Sequence, residues 1–87
     1  MINSNISHIR GVTTHRNNDL IKAFGVKVRE IRKSKNLSME DLAGMADIEY
    51  KQLSRIENGE VNTTISSAYN LSKALDVSIV ELFTEEF

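Results

Sequence analysis

From Leu20 onward the apolar positions fall into helical rhythm. Leu20, Phe24, Val28 and Ile31 recur at spacings of four and three with Ile21 alongside, the stripe of an amphipathic helix that runs to about Lys35. Asp19 stands where an N-cap belongs. The 18 residues before it, rich in Asn, Ser, Thr and His, show no such period and read as a flexible N-terminal tail. Ser38 followed by Met39, Glu40 and Asp41 marks the start of a short second helix to about Ala46, with Leu42 and Ala46 on its buried edge. Leu53 and Ile56 mark one face of a third helix, which stops at Asn58-Gly59, where glycine suits the left-handed position beyond a helix end. Thr64 caps a fourth helix with Ile65, Ala68, Leu71, Ala74 and Leu75 inward. Asp76-Val77-Ser78 breaks the pattern, and a fifth helix from Ile79 to about Thr84 brings Leu82 and Phe83 to close the core.

The chain is therefore expected to be all-α, with residues 1–18 a tail and residues 19–87 one folded domain. A chain of 87 residues buries only about 60% of its extended surface, which leaves room for one thin core. A hydrophobic content of 40% beside a charged content of 26% is ordinary for a globular chain. There is no cysteine, hence no disulfide framework and no thiolate metal site. No apolar run approaches the roughly 20 residues of a membrane helix, and the N-terminus lacks the order of a signal peptide, so a cytoplasmic location is expected. The matches Asn5-Ile6-Ser7 and Asn62-Thr63-Thr64 to a glycosylation pattern then carry no weight.

A formal net charge of −1 conceals an uneven distribution. Residues 27–35 hold Lys27, Arg29, Arg32, Lys33 and Lys35 against Glu30, a balance of 5 − 1 = +4. Residues 76–87 hold Asp76, Glu81, Glu85 and Glu86 and no base, a balance of −4. Such a dipolar surface fits one face presented to phosphates, and equally two solvated helix faces.

Residues 38–58 place two short helices around a tight turn, the second with long polar side chains outside, which is the unit that seats a helix in a DNA major groove. The exposed first turn and a half of the third helix carries Glu49, Tyr50, Lys51, Gln52, Ser54 and Arg55. Tyr50, Lys51 and Ser54 share a face with Arg55 at its edge, opposite Leu53 and Ile56.

Here the chain resembles the Cro and phage-repressor type (XRE family) of helix-turn-helix regulators, over roughly residues 25–83. The resemblance rests on Val28-Arg29-Glu30-Ile31-Arg32, Leu37-Ser38-Met39-Glu40-Asp41-Leu42-Ala43, Leu53-Ser54-Arg55-Ile56-Glu57-Asn58-Gly59, Ala74-Leu75-Asp76-Val77-Ser78 and Glu81-Leu82-Phe83, in that order and spacing. It implies a compact five-helix bundle, a lambda-repressor-like DNA-binding domain with the third helix as reader. It implies an ion pair between Arg32 and Glu57 that sets the angle of that helix. It also implies base contacts from Tyr50, Lys51 and Arg55, and a phosphate path along Ser38, Met39, Asn58 and Asn62. An Arg or Lys on guanine discriminates by about 1 to 3 kcal/mol, Tyr50 suits a thymine methyl, and a Glu49 carboxylate can accept from cytosine N4. The chain departs from the family at Met39, where glutamine is favoured, at Asp47, where glycine is common, at Glu49, where a small hydroxyl residue often caps the helix, and at Thr63, where proline is usual. Asp47 tolerates a left-handed conformation better than most residues.

The implied function is sequence-specific binding of double-stranded DNA and transcriptional regulation as a homodimeric repressor. Controller proteins of restriction-modification systems and self-repressing antitoxins are of the same build. A protein-interaction module that kept the fold is the rival from another class, favoured by the near-zero charge, Met39 and Glu49. A dimer contact is expected from the apolar excess at Val77, Ile79, Val80, Phe83 and Phe87. Arg10 and Arg16 suggest either a minor-groove arm or a leader without a role. His8 and His15 lie apart from any ligand cluster, no acid pair is set for catalysis, and Gly11, Gly25, Gly44 and Gly59 are scattered singly. No metal, cofactor, membrane contact or enzymatic activity is expected.

Overall fold

A computed structural model describes the backbone of residues 2–83 and the side chains of residues 18–83. Phe87, Glu85 and Glu86 lie outside the described residues, as do the side chains of His8, Arg10, His15 and Arg16. Among the described residues five helices follow one another: α1 (Ile2–Ser34), α2 (Met39–Ala46), α3 (Tyr50–Glu57), α4 (Ile65–Leu75) and α5 (Ile79–Leu82). No strand occurs among the described residues.

The caps follow local chemistry. Ser38, Thr64 and Ser78 each accept a hydrogen bond from the backbone N–H three residues on, at 2.9, 3.1 and 3.2 Å. Asp47 and Asp76 close α2 and α4 in the left-handed region, at φ 58° and 59°. The α1 start is a correction. Asp19, expected as its N-cap, lies inside a helix that begins at Ile2, because residues 2–18 contain no proline and only one glycine to halt it. α5 is shorter than expected, ending at Leu82.

One core joins the elements. Phe24 and Val28 of α1, Leu42, Ala43 and Ala46 of α2, Leu53 and Ile56 of α3, Ala68, Leu71 and Leu75 of α4 and Leu82 of α5 are buried in a single cluster. Burying a side chain of this size stabilises by about 1.5 to 3 kcal/mol, so these few positions supply most of the folding drive. Ala74 packs on the edge of the cluster. Ile65, expected inward, is 84% exposed: it occupies the first turn of α4, which runs past the core that begins at Ala68. Leu20, the first residue of the α1 stripe, is likewise on the rim.

Candidate nucleic-acid interface

The turn between α2 and α3 is closed by the backbone. The Ile48 N–H returns to the Ala43 carbonyl at 3.0 Å and that of Asp47 to Gly44 at 3.3 Å, the pattern of a helix ended by a left-handed residue. Ile48 tucks against the core behind this turn. α3 then presents two contrasting faces. Leu53, Ile56 and Glu57 are buried, while Glu49, Tyr50, Lys51, Gln52 and Arg55 are exposed and Ser54 is half-buried. Tyr50 keeps 53% of its surface in solvent, so it is available on the outer face instead of being folded against α2.

The buried carboxylate on the inner face is held from α1. Arg32 donates from Nε to Glu57 Oε2 at 2.8 Å and from Nη2 to Glu57 Oε1 at 3.0 Å, the two-pronged geometry that suits guanidinium to carboxylate. Its Nη1 donates to the Leu37 carbonyl at 3.0 Å and so ties the α1–α2 loop into the same unit. The Glu57 hydrogen bond, and secondarily its charge, hold the Arg32 guanidinium above its ordinary pKa against the opposing effect of burial. The expected pair is therefore present, and both partners are buried.

Two further residues, Arg29 and Gly25, position α3. Arg29, one turn before Arg32 on the same helix face, reaches Glu57 Oε1 at 3.4 Å and Asn58 Oδ1 at 2.7 Å. Its three-residue spacing from Arg32 is the signal that could have found it. Gly25 lets α3 lie directly on α1: a Cβ there would collide with the Ile56 carbonyl and come within 2.8 Å of that of Glu57. Gly59, at φ 71°, supplies the left-handed turn beyond α3.

The remaining expected contacts are distributed unevenly. Lys51, Arg55, Glu49 and Gln52 border one open depression together with Val61 and Asn62, so the α3–α4 loop forms a wall beside the outer face of α3. Gln52 Nε2 also donates to Ser67 Oγ at 3.4 Å, a long bond that links α3 to α4. Met39 is half-buried against the core, where its apolar thioether gains more from packing than from water, and a thioether has no hydrogen-bond donor to offer a phosphate. The Ser38 hydroxyl is engaged as the α2 cap. Asn58 is exposed at the end of α3. Towards the C-terminus, Val77 and Ile79 pack against the core, while Val80 and Phe83 are 69% and 44% exposed. Phe83 also lies on Phe24, with ring centroids 4.9 Å apart.

No helix among the described residues is long and apolar enough to cross a membrane. They contain no group of three or more His, Cys, Asp or Glu placed to hold a metal ion.

Residues 28–82 match the helix-turn-helix family HTH_3, an interval that contains every described residue of this interface from Ser38 to Asn62. Control protein C.MunI from a Mycoplasma species is 35% identical over 69 residues, covering 78% of this chain and 93% of that protein. Control protein C.BamHI from Bacillus amyloliquefaciens is 41% identical over 66 residues, covering 75% and 82%. Among solved structures, the restriction-modification controller protein C.AhdI from Aeromonas hydrophila is similar with a TM-score of 0.71 and 37% identity, over 75% of this chain and 97% of that one.

Proposed function

Because the chain belongs to the HTH_3 helix-turn-helix family of DNA-binding transcriptional regulators, we propose that it is an operator-reading controller of the restriction-modification kind, acting as a symmetric homodimer. The observation that carries this reading is the outer face of α3, where Lys51 and Arg55 stand in solvent while Glu57 anchors the helix from behind. Two cations on one exposed helix turn match the donor requirement of guanine O6 and N7 in the major groove. Tyr50 lies beside them to meet a thymine methyl, Glu49 accepts from cytosine N4, and Ser54 and Gln52 border the contact. Asn58 and Asn62 line the phosphate path, with Ser38 at its far end. The controller role is favoured over other regulators of this build by relatives whose names carry it, at 35% and 41% identity.

One recognition helix spans only a few base pairs, so a two-fold dimer reading half-sites about 34 to 36 Å apart supplies the missing specificity. The exposed Val80 and Phe83 are the apolar surface from which such a contact is built, with Val77 and Ile79 supporting them from the core side. Phe87, outside the described residues, is the fifth member of that proposal.

Selection of bound fragments from genomic DNA, followed by titration of the selected duplex, tests the reading. Lys51→Ala and Arg55→Ala each lower the preference for the selected site by about 5- to 150-fold, the equivalent of about 1 to 3 kcal/mol, and leave non-specific binding nearly intact. Affinity falls steeply with salt through counterion release. Binding with no site preference, or to a protein partner with little salt dependence, overturns it.

A further inference from the structure

We propose that Arg29 is a positioning residue for DNA binding: it turns the side-chain amide of Asn58 so that its NH2 faces outward as a phosphate donor at the C-terminal end of α3. The inference rests on the reading of α3 as the recognition helix and of Asn58 as a backbone contact.

Glu57 already receives two hydrogen bonds from Arg32 at 2.8 and 3.0 Å, and Arg29 reaches it only at 3.4 Å. The close contact of Arg29 is instead the 2.7 Å bond from its Nη2 to Asn58 Oδ1. A guanidinium has donors and no acceptor, so the atom facing Arg29 must be the amide oxygen, which sends Nδ2 and its two N–H donors the other way. Among the described residues Asn58 Nδ2 has no acceptor, and Asn58 is exposed. The place matters as well. A helix of eight residues is about 12 Å long, close to the width of the major groove, so with the first turn of α3 at the bases its last turn lies against the phosphates. That end of a helix is the negative end of its dipole and repels phosphate unless a donor or a cation intervenes. The oriented amide of Asn58 supplies that donor, and Arg29, engaged with Asn58 Oδ1 and Glu57 Oε1, acts through it.

Coupling between the two residues is the test, with the selected operator duplex as probe. Asn58→Ala and Arg29→Gln each weaken binding by about tenfold, within the range of one hydrogen bond to a charged group. The double variant loses the same tenfold, since without Asn58 there is nothing for Arg29 to orient. Arg29→Lys, whose ammonium reaches Asn58 Oδ1 where the amide NH2 of the shorter glutamine does not, recovers most of the loss. The dependence of affinity on salt keeps its slope in Arg29→Gln, whereas a direct phosphate contact by Arg29 lowers the slope by about 0.9. Melting of the free variants separates a folding defect from a binding one, and the Asn58 side-chain amide signal, followed by NMR, shifts on DNA addition in the wild type and not in Arg29→Gln. A double variant about a hundredfold weaker, wild-type affinity in either single variant, or a slope reduced in Arg29→Gln overturns the proposal. Failure of the wild-type protein to prefer any duplex is a different result, one that removes the recognition reading itself.

Discussion

The two helices of the DNA-binding unit are equal in length, eight residues each, and are secured in opposite ways. α2 is satisfied by its own ends. Ser38 and Asp41 exchange hydrogen bonds at 2.9 and 3.1 Å across its first turn, and the left-handed Asp47 closes its last. α3 has no side-chain cap at Glu49 and depends on its far end, where Glu57 meets Arg32 and the helix backbone rests on Gly25. Local self-sufficiency suits a helix that serves as a strut. Anchoring at one end leaves the first turn of α3 with no side-chain cap and, among the described residues, only the long bond from Gln52 to Ser67, which suits a helix whose first turn meets a second molecule.

Removing the anchor gives the largest effect. Glu57→Ala strands the buried Arg32 without its carboxylate and lowers stability by about 3 to 5 kcal/mol in denaturant titration, a large part of the total for a domain of this size. The two glycines under and within these helices sharpen the contrast. Gly25→Ala pushes a methyl into the Ile56 carbonyl and costs about 1 to 3 kcal/mol, with α3 tilting and DNA affinity falling together. Gly44→Ala, on α2, meets nothing within 4 Å and stabilises by up to about 1 kcal/mol through helix propensity. Equal responses at the two positions would show that α3 does not lie on α1 as described.

The same division explains what could be read from the chain. Caps and turn residues act over three or four positions, so Ser38, Thr64, Ser78, Asp47 and Gly59 were all legible before any fold was known. The outward character of Tyr50, Lys51 and Arg55 followed from helical period. What depended on tertiary approach was hidden. Nothing in the neighbourhood of Gly25 indicates that Ile56 will lie on it, and Arg29 meets a partner 29 residues away. The burial of Met39, the link from Gln52 to Ser67 and the exposure of Ile65 likewise depend on where a neighbouring helix begins or ends. The start of α1 was misplaced for a simpler reason: Asp19 is a good cap residue, but a cap residue does not stop a helix already running.

The helix starts give the next effect down. Ser38→Ala costs about 1 kcal/mol, the usual loss of an N-cap, whereas Glu49→Ala leaves stability nearly unchanged because no cap bond is lost. Denaturant midpoints of the two variants measured side by side are sufficient, and a loss at Glu49 as large as that at Ser38 would end the contrast between self-capped and far-end-anchored helices.

Acid reaches α2 through the same cap, and the effect is the smallest because the group is exposed. The Asp41 carboxylate accepts the Ser38 N–H at 3.1 Å, and that backbone bond, followed by the one with the Ser38 side chain, holds its pKa below the ordinary value for aspartate. A lowered pKa in the folded state means that the carboxylate stabilises the fold fully above the unfolded value of about 3.9, and that this contribution is lost as pH falls through the lower folded value. Arg32, raised instead, keeps its charge across the same range, so its side of the α3 anchor is untouched by acid. Carboxyl NMR should give Asp41 a midpoint below that of an aspartate in an unfolded peptide, and amide exchange should quicken first at the N-terminus of α2 as the solution is acidified. In Asp41→Asn, which keeps an acceptor but has no charge to lose, the same α2 amides exchange at a rate that no longer responds to acid beyond the intrinsic chemistry. If Asp41 titrates at or above the unfolded value, the capping box contributes nothing that depends on charge, and α2 is held by the Ser38 hydroxyl, the Asp47 closure and its buried face.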